Sequence, residues 1–157
     1  MARPKEGDPA PDFELTSDGG ETVRLSALKG RPVVLYFYPR DDTPGCTKEA
    51  CGFRDDYAQY ARAGVVILGV SPDSTRSHTA FKKKFDLPFP LLADEDKTVV
   101  KRYGVWGKKK FMGREYMGVL RKTYLIGRDG RVLRIFEKVK PEGHSQEILA
   151  ALDAAAP

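Results

Sequence analysis

The sequence predicts an α/β fold in which a central mixed β-sheet is flanked by helices and preceded by an N-terminal β-hairpin. Three observations predict it. Two near-continuous apolar runs, Pro32-Val33-Val34-Leu35-Tyr36-Phe37-Tyr38 and Val65-Val66-Ile67-Leu68-Gly69-Val70-Ser71, have the pattern of strands buried on both faces. The stretch between them is long enough for a helical crossover and carries apolar residues at helical spacing. Two further regions, one early and one late, alternate around glycine-containing turns.

Taken in order, the opening residues are rich in Pro, Gly and Asp and read as an extended arm with turns. Phe13-Glu14-Leu15 and Thr22-Val23-Arg24-Leu25 alternate around Asp18-Gly19-Gly20, which predicts the first hairpin. Pro39 stops the first buried strand, and Arg40-Asp41-Asp42-Thr43-Pro44-Gly45 follows as a loop. Residues 46–63 read as one helix, with Ala50, Phe53, Tyr57, Tyr60 and Ala61 near one face and Gly64 as its C-terminal cap. After the second buried strand, residues 73–85 read as a helix whose start is marked by Pro72, Asp73 and Ser74, with His78 expected on its exposed face. Leu91-Leu92-Ala93 reads as a short strand and residues 97–103 as a helix ended by Gly104. The apolar, glycine-rich segment 106–118 reads as a mobile loop. Residues 119–126 and 131–136 alternate around Arg128-Asp129-Gly130, a second hairpin, and residues 145–155 form a last helix with His144 near its start. A right-handed strand–helix–strand crossover makes the two central strands parallel, and the late hairpin adds antiparallel ones. This is the order of a thioredoxin-like fold, expected as one domain over residues 1–157.

The chain has 157 residues, 41% of them hydrophobic, enough for a core that needs neither disulfide nor metal. The net charge of +5 is spread along the chain except at Lys82-Lys83-Lys84 and Lys108-Lys109-Lys110. Neither a basic stripe nor a nucleic-acid-binding motif is present, so nucleic acid is not an expected partner. The lysine runs read as solvated faces, the first at a helix C-terminus where cations suit the dipole. The longest apolar run, residues 65–70, is far too short to span a bilayer, and the residues before Pro9 lack the apolar core of a secretory signal. The expectation is a cytoplasmic protein with no membrane partner. Without a Gly-x-Gly-x-x-Gly fingerprint, no nicotinamide or flavin cofactor is expected.

Cys46 and Cys51 are the only cysteines. In a reducing compartment such a close pair points to catalysis, redox sensing or metal binding rather than to a structural disulfide. Cys46 follows a Pro-Gly turn and opens the predicted helix. Unpaired N–H groups and the positive end of the helix dipole favour a thiolate there, the nucleophilic form. The loop also leaves the C-terminal end of a buried strand, where open α/β sheets bind ligands.

Pro39-Arg40-Asp41-Asp42-Thr43-Pro44-Gly45-Cys46 resembles the peroxiredoxin active-site pattern Pro-x-x-x-Thr-x-x-Cys. The resemblance runs over almost the whole chain. It takes in Gly7-Asp8-Pro9-Ala10-Pro11-Asp12-Phe13, Leu28-Lys29-Gly30-Arg31-Pro32 with the strand after it, Gly69-Val70-Ser71-Pro72-Asp73-Ser74 and Arg121-Lys122-Thr123-Tyr124-Leu125-Ile126. Thr43-Pro44-Gly45-Cys46-Thr47-Lys48-Glu49-Ala50-Cys51 is similar to the Q-type, or bacterioferritin-comigratory-protein-like, subgroup. The sequence departs from the pattern at Gly127, where many relatives carry Asp; this touches the late hairpin and not the proposed site.

The resemblance implies a thiol peroxidase for hydrogen peroxide and organic hydroperoxides. Cys46 attacks the peroxide and becomes a sulfenic acid, and Cys51 resolves it to a Cys46–Cys51 disulfide. Thr43 and the N–H groups of Gly45 and Cys46 bind the peroxide as the leaving oxygen gains charge. Pro39 and Pro44 stiffen and shield the loop. Arg121 is implied as the active-site arginine, and Glu49, one turn into the helix, either holds Arg121 or lies solvated at the surface. Residues five apart on a helix differ by about 7.5 Å of rise and roughly 140° in direction, beyond the roughly 7 Å Cα separation an unstrained disulfide allows. The first turns must therefore unwind on oxidation. Thioredoxin or a similar dithiol protein is the implied reductant. The expected state is a monomer, with a weak dimer as the alternative.

Three other readings compete. A thioredoxin-like disulfide oxidoreductase normally needs Cys-x-x-Cys, and here the spacing is Cys-x4-Cys. A redox sensor or nucleic-acid module would use the lysine runs. A zinc site from Cys46, Cys51, His78 and His144 lacks the usual ligand spacing, so no metal is expected.

Overall fold

The computed structural model describes residues 3–155. The N-terminal hairpin is β1 (Glu14–Ser17) and β2 (Thr22–Arg24), followed by a 3-10 turn at Leu25–Leu28. Then come β3 (Val33–Phe37), helices α1 (Pro44–Asp55) and α2 (Tyr57–Arg62), β4 (Val66–Ser71), α3 (Thr75–Phe85), β5 (Leu91–Ala93) and α4 (Thr98–Arg102). The chain closes with β6 (Trp106–Phe111), β7 (Arg114–Val119), β8 (Lys122–Ile126), β9 (Val132–Phe136) and α5 (His144–Ala155).

Seven strands form one sheet in the order β2-β1-β5-β4-β3-β8-β9. β3, β4 and β5 run parallel, with Leu35 opposite Leu68, and β8 flanks β3 antiparallel, with Leu35 opposite Tyr124. The sheet is therefore mixed, as the crossover argument requires. Every residue of β3 is buried, because helices or packed chain cover both faces. Val34, Tyr36 and Tyr38 point into a core closed by Ala50 and Phe53 of α1, Tyr60 of α2, Phe81 of α3 and Ile148 of α5. Val33, Leu35 and Phe37 point into the opposite core, closed by Val99 and Val100 of α4 with Phe13 and Leu25. Burial on both sides explains why these strands read as continuous apolar runs rather than alternating ones. No helix of the described residues is long and apolar enough to cross a membrane.

The structure departs from the expected elements in four places. The expected helix 46–63 begins two residues earlier, at Pro44, whose missing N–H suits the first helical turn. It also breaks at Asp56 (φ −96°, ψ 5°), which ends α1 and starts α2 and leaves Tyr60 buried with its hydroxyl donated to Ser145 O at 2.8 Å. Segment 106–118 is not a loop: it forms the β6–β7 hairpin around a Met112-Gly113 turn with positive φ at both residues (50° and 79°). The expected strand 119–126 is interrupted at Leu120-Arg121, where the chain leaves β7 and enters the main sheet as β8. His78 is not on an exposed face but fully buried. It lies three residues before Phe81 and seven before Phe85, on the stripe of α3 that meets the sheet.

Candidate active site

The loop leaving β3 carries residues 38–43 to the N-terminus of α1, so Cys46 sits in the first turn of that helix beside the end of the central strand. Its side chain is buried. Thr43 is the N-cap residue, with extended backbone (φ −107°, ψ 155°). Its hydroxyl makes no capping bond and instead donates to Arg40 O at 2.9 Å. The proton is thus committed to the loop, and the oxygen lone pairs remain free to accept.

Glu49 follows Cys46 by one turn, on the same side of α1, and is also buried. Arg121, from the link between β7 and β8, reaches both. Its Nη2 donates to Cys46 Sγ at 3.3 Å and its Nη1 to Glu49 Oε1 at 2.7 Å. Gly45 makes room for this: a Cβ there would stand 3.0 Å from Arg121 Nη2 and crowd the guanidinium. Burial pushes the Glu49 carboxyl up to about 7, against the downward pull of Arg121. Burial works to lower Arg121, but the adjoining Glu49 and Cys46 outweigh it and raise it. The opposition is a real one, since Glu49 is more deeply buried than its partner; charge on the carboxyl is sustained by the arginine alone.

Behind this pair lies His144, at the first position of α5. Its side chain is buried, with Nδ1 3.0 Å from Glu147 Oε1 and Nε2 2.8 Å from Thr123 Oγ1. Nε2 also lies 3.9 Å from Glu49 Oε2, a buried oxygen with no hydrogen-bond partner among the described residues. Burial lowers the imidazole, with Glu147 opposing. A neutral ring that donates from Nδ1 to Glu147 accepts the Thr123 proton at Nε2, which leaves Glu49 Oε2 without a donor. Lys109 of β6 donates to Val119 O at 2.9 Å; burial lowers its ammonium, as does Arg121.

Of the residues expected at the site, Cys46, Glu49 and Arg121 meet directly. Gly45 and Pro44 adjoin them, Pro44 on the exposed side, and Pro39 is half-buried at the end of β3. Cys51 lies further along α1, half-buried and unbonded to Cys46. Burial pushes its thiol up, with Arg54 pulling down and Asp55 adding to the rise. The four residues weighed as zinc ligands are not assembled: His78 bonds to Asp41 and Leu92 O, and His144 to Thr123 and Glu147. A surface depression lined by Pro9, Leu25, Lys29, Gly127 and Arg131 is at the far end of the sheet and contains none of the site residues. Sequence reasoning assigned no role to His144 or His78. Their positions on the apolar stripes of α5 and α3 were the available signal; their partners come from distant segments.

Comparison with known proteins follows the same line. The AhpC/TSA family model matches residues 6–135. Peroxiredoxin Bcp of Bacillus subtilis is 51% identical over 146 residues, covering 93% of this chain and 93% of that protein. A putative peroxiredoxin bcp of Coxiella burnetii is also 51% identical over 146 residues, covering 93% and 97%. Among solved structures, peroxiredoxin Q of Xylella fastidiosa superposes with a TM-score of 0.93 at 33% identity over the whole of both chains. The bacterioferritin comigratory protein of Xanthomonas campestris, studied for its alkyl peroxide reduction activity, superposes with a TM-score of 0.87 at 39% identity over 92% of each chain.

Proposed function

Since the chain belongs to the AhpC/TSA family and is a thiol-dependent peroxidase of the peroxiredoxin kind, we propose that Cys46 is its peroxide-attacking thiol and Cys51 its resolving thiol. The observation that carries this assignment is the Arg121 guanidinium, which donates to Cys46 Sγ while braced on Glu49. A donor cation at the sulfur suits the anionic nucleophile and the charge that forms as the O–O bond breaks.

In the proposed sequence the Cys46 thiolate attacks one peroxide oxygen. An S–O bond forms, the O–O bond breaks, and the leaving oxygen departs as alkoxide or hydroxide and takes a proton from water. Thr43 Oγ1, its own proton on Arg40 O, accepts from the peroxide O–H. The first amides of α1 and Arg121 hold the oxygen that gains charge. Cys46 is then a sulfenic acid. The Cys51 thiol condenses with it, forming the disulfide and releasing water. The raised Cys51 thiol suits this order, since a protonated thiol does not compete for peroxide. Thioredoxin, or a dithiol protein like it, then attacks the disulfide and returns both thiols. The attacking and the resolving thiol come from one chain, so disulfide formation needs no second copy.

The test is steady-state turnover of Cys51→Ser with thioredoxin, thioredoxin reductase and NADPH, with intact mass read after one equivalent of peroxide. The variant is expected to consume one equivalent rapidly, gain one oxygen and stop. Sustained wild-type turnover by the variant would remove the resolving role from Cys51. A wild-type enzyme that cycles with small thiols but not with thioredoxin would overturn the choice of reductant alone.

A further inference from the structure

A second buried polar cluster lies under the loop that carries the site, and its centre is Asp41, whose side chain is 4% exposed. Asp41 Oδ1 accepts from Tyr38 OH at 2.6 Å. Its Oδ2 accepts from Ser77 Oγ at 2.8 Å and faces His78 Nδ1 at 2.7 Å. Its backbone N–H donates to Asp73 Oδ2 at 2.7 Å, an oxygen that also accepts from Ser71 Oγ at 2.7 Å. His78 Nε2 lies 2.9 Å from Leu92 O. A carbonyl oxygen only accepts, so Nε2 is the ring nitrogen that donates there. Asp41, Asp73 and His78 are close enough to be weighed as cation ligands, but each already has hydrogen-bond partners. The cluster therefore reads as an anchor.

What it anchors is a strained turn. Asp42, the next residue, has φ 55°, in the left-handed region; aspartate enters it more readily than most residues, but at a cost that its surroundings must offset. Thr43 follows Asp42 and opens α1. Every group that bonds Asp41 belongs to the end of β3 (Tyr38), the turn after β4 (Asp73) or α3 (Ser77, His78), and none belongs to α1.

We infer that Asp41, gripped by His78, Ser77 and Tyr38, is a positioning residue for peroxide activation: it fixes the turn that aligns Thr43 Oγ1 and the first amides of α1 on the peroxide at Cys46. The inference rests on the reading of Cys46 as the attacking thiol. A displacement of about 1 Å in such an alignment costs up to roughly 100-fold in rate. The sulfur itself, held by Arg121 from the other side, is little affected.

The experiment compares two reactions of the same sulfur in wild type and Asp41→Asn. One is the second-order rate of Cys46 oxidation by hydrogen peroxide. The other is its alkylation by iodoacetamide, read by mass spectrometry at the Cys46 peptide. Asp41→Asn keeps the shape but turns an amide N–H toward groups that donate. The expected result is a roughly 10- to 100-fold loss in the peroxide rate, with alkylation unchanged or faster. Equal losses in both rates, or no loss in either, overturn the inference. Should Asp41→Asn not melt cooperatively, Ser77→Ala, which deletes one donor to Asp41 and leaves the His78 pair, is judged by the same ratio. Failure of the underlying reading looks different: wild-type Cys46 would then react with peroxide no faster than an ordinary thiol.

Discussion

Oxidation of the protein is the perturbation whose structural consequence is most sharply set by geometry. Cys46 and Cys51 share α1, which runs unbroken across Pro44–Asp55. Helix parameters put Cα atoms five residues apart at about 8.6 Å, beyond the roughly 7 Å an unstrained disulfide spans. Closing the bond must therefore release the first turns, including the Thr47 N–H to Thr43 O bond of 2.8 Å. It must also disturb the packing of Cys46, Ala50 and Phe53 in the core under β3. In the reduced protein, exposing Phe53 alone costs about 1.5–3 kcal/mol, and each released backbone bond adds about 1 kcal/mol. Opening α1 therefore costs at least about 4 kcal/mol, which protects its amides from exchange by roughly 1,000-fold. Hydrogen–deuterium exchange with mass spectrometry on the reduced and peroxide-oxidised protein reads this directly. Residues 46–54 should lose most of that protection on oxidation, while β3, β4 and β8 keep theirs. Equal protection of residues 46–54 in the two states would refute the reasoning.

Two further outcomes follow from the buried Arg121–Glu49 pair. Arg121→Met removes the donor to Cys46 Sγ and should lower the stopped-flow peroxide rate by roughly 100- to 1,000-fold. It also strands Glu49, so urea unfolding above pH 7 should show a loss of about 3–5 kcal/mol; a variant as stable and as fast as wild type would contradict both roles. Because burial holds Glu49 at about 7, above its ordinary 4.5, the folded state keeps a proton that the unfolded chain releases between those values. The contribution of Glu49 to stability is complete below about pH 4.5 and is lost as pH rises through about 7. The melting temperature of Glu49→Gln minus that of wild type should therefore grow across this window; a constant difference would count against the raised carboxyl.

Much of this was legible in the sequence, for identifiable reasons. β3 and β4 were readable because burial on both faces leaves an unbroken apolar run, and the late hairpin because Asp129-Gly130 punctuates alternating strands. Cys46 was readable because the Pro-Gly turn and helix start are local features. The β6–β7 hairpin was not. Both its faces are largely solvated, with Phe111 66% and Met112 88% exposed, so Trp106-Gly107-Lys108-Lys109-Lys110-Phe111 shows no alternation to detect. The break at Asp56 is one residue long and lies between two segments of the same helical period. Glu49 as the brace for Arg121 was left open, because a glutamate on a helix looks alike whether it faces water or a guanidinium 72 positions along the chain. His78 and Asp41 were missed for the same reason: their hydrogen bonds span 37 positions, and such pairings become visible only once the sheet has brought the segments together.

The most direct test of the central claim is the rate of hydrogen peroxide consumption by wild type and Cys46→Ser under one thioredoxin-based reducing system. Rapid turnover by wild type and none above background by Cys46→Ser is the predicted result. Consumption by Cys46→Ser at the wild-type rate would contradict the assignment of the attacking thiol, and with it the roles given to Arg121, Thr43 and Cys51.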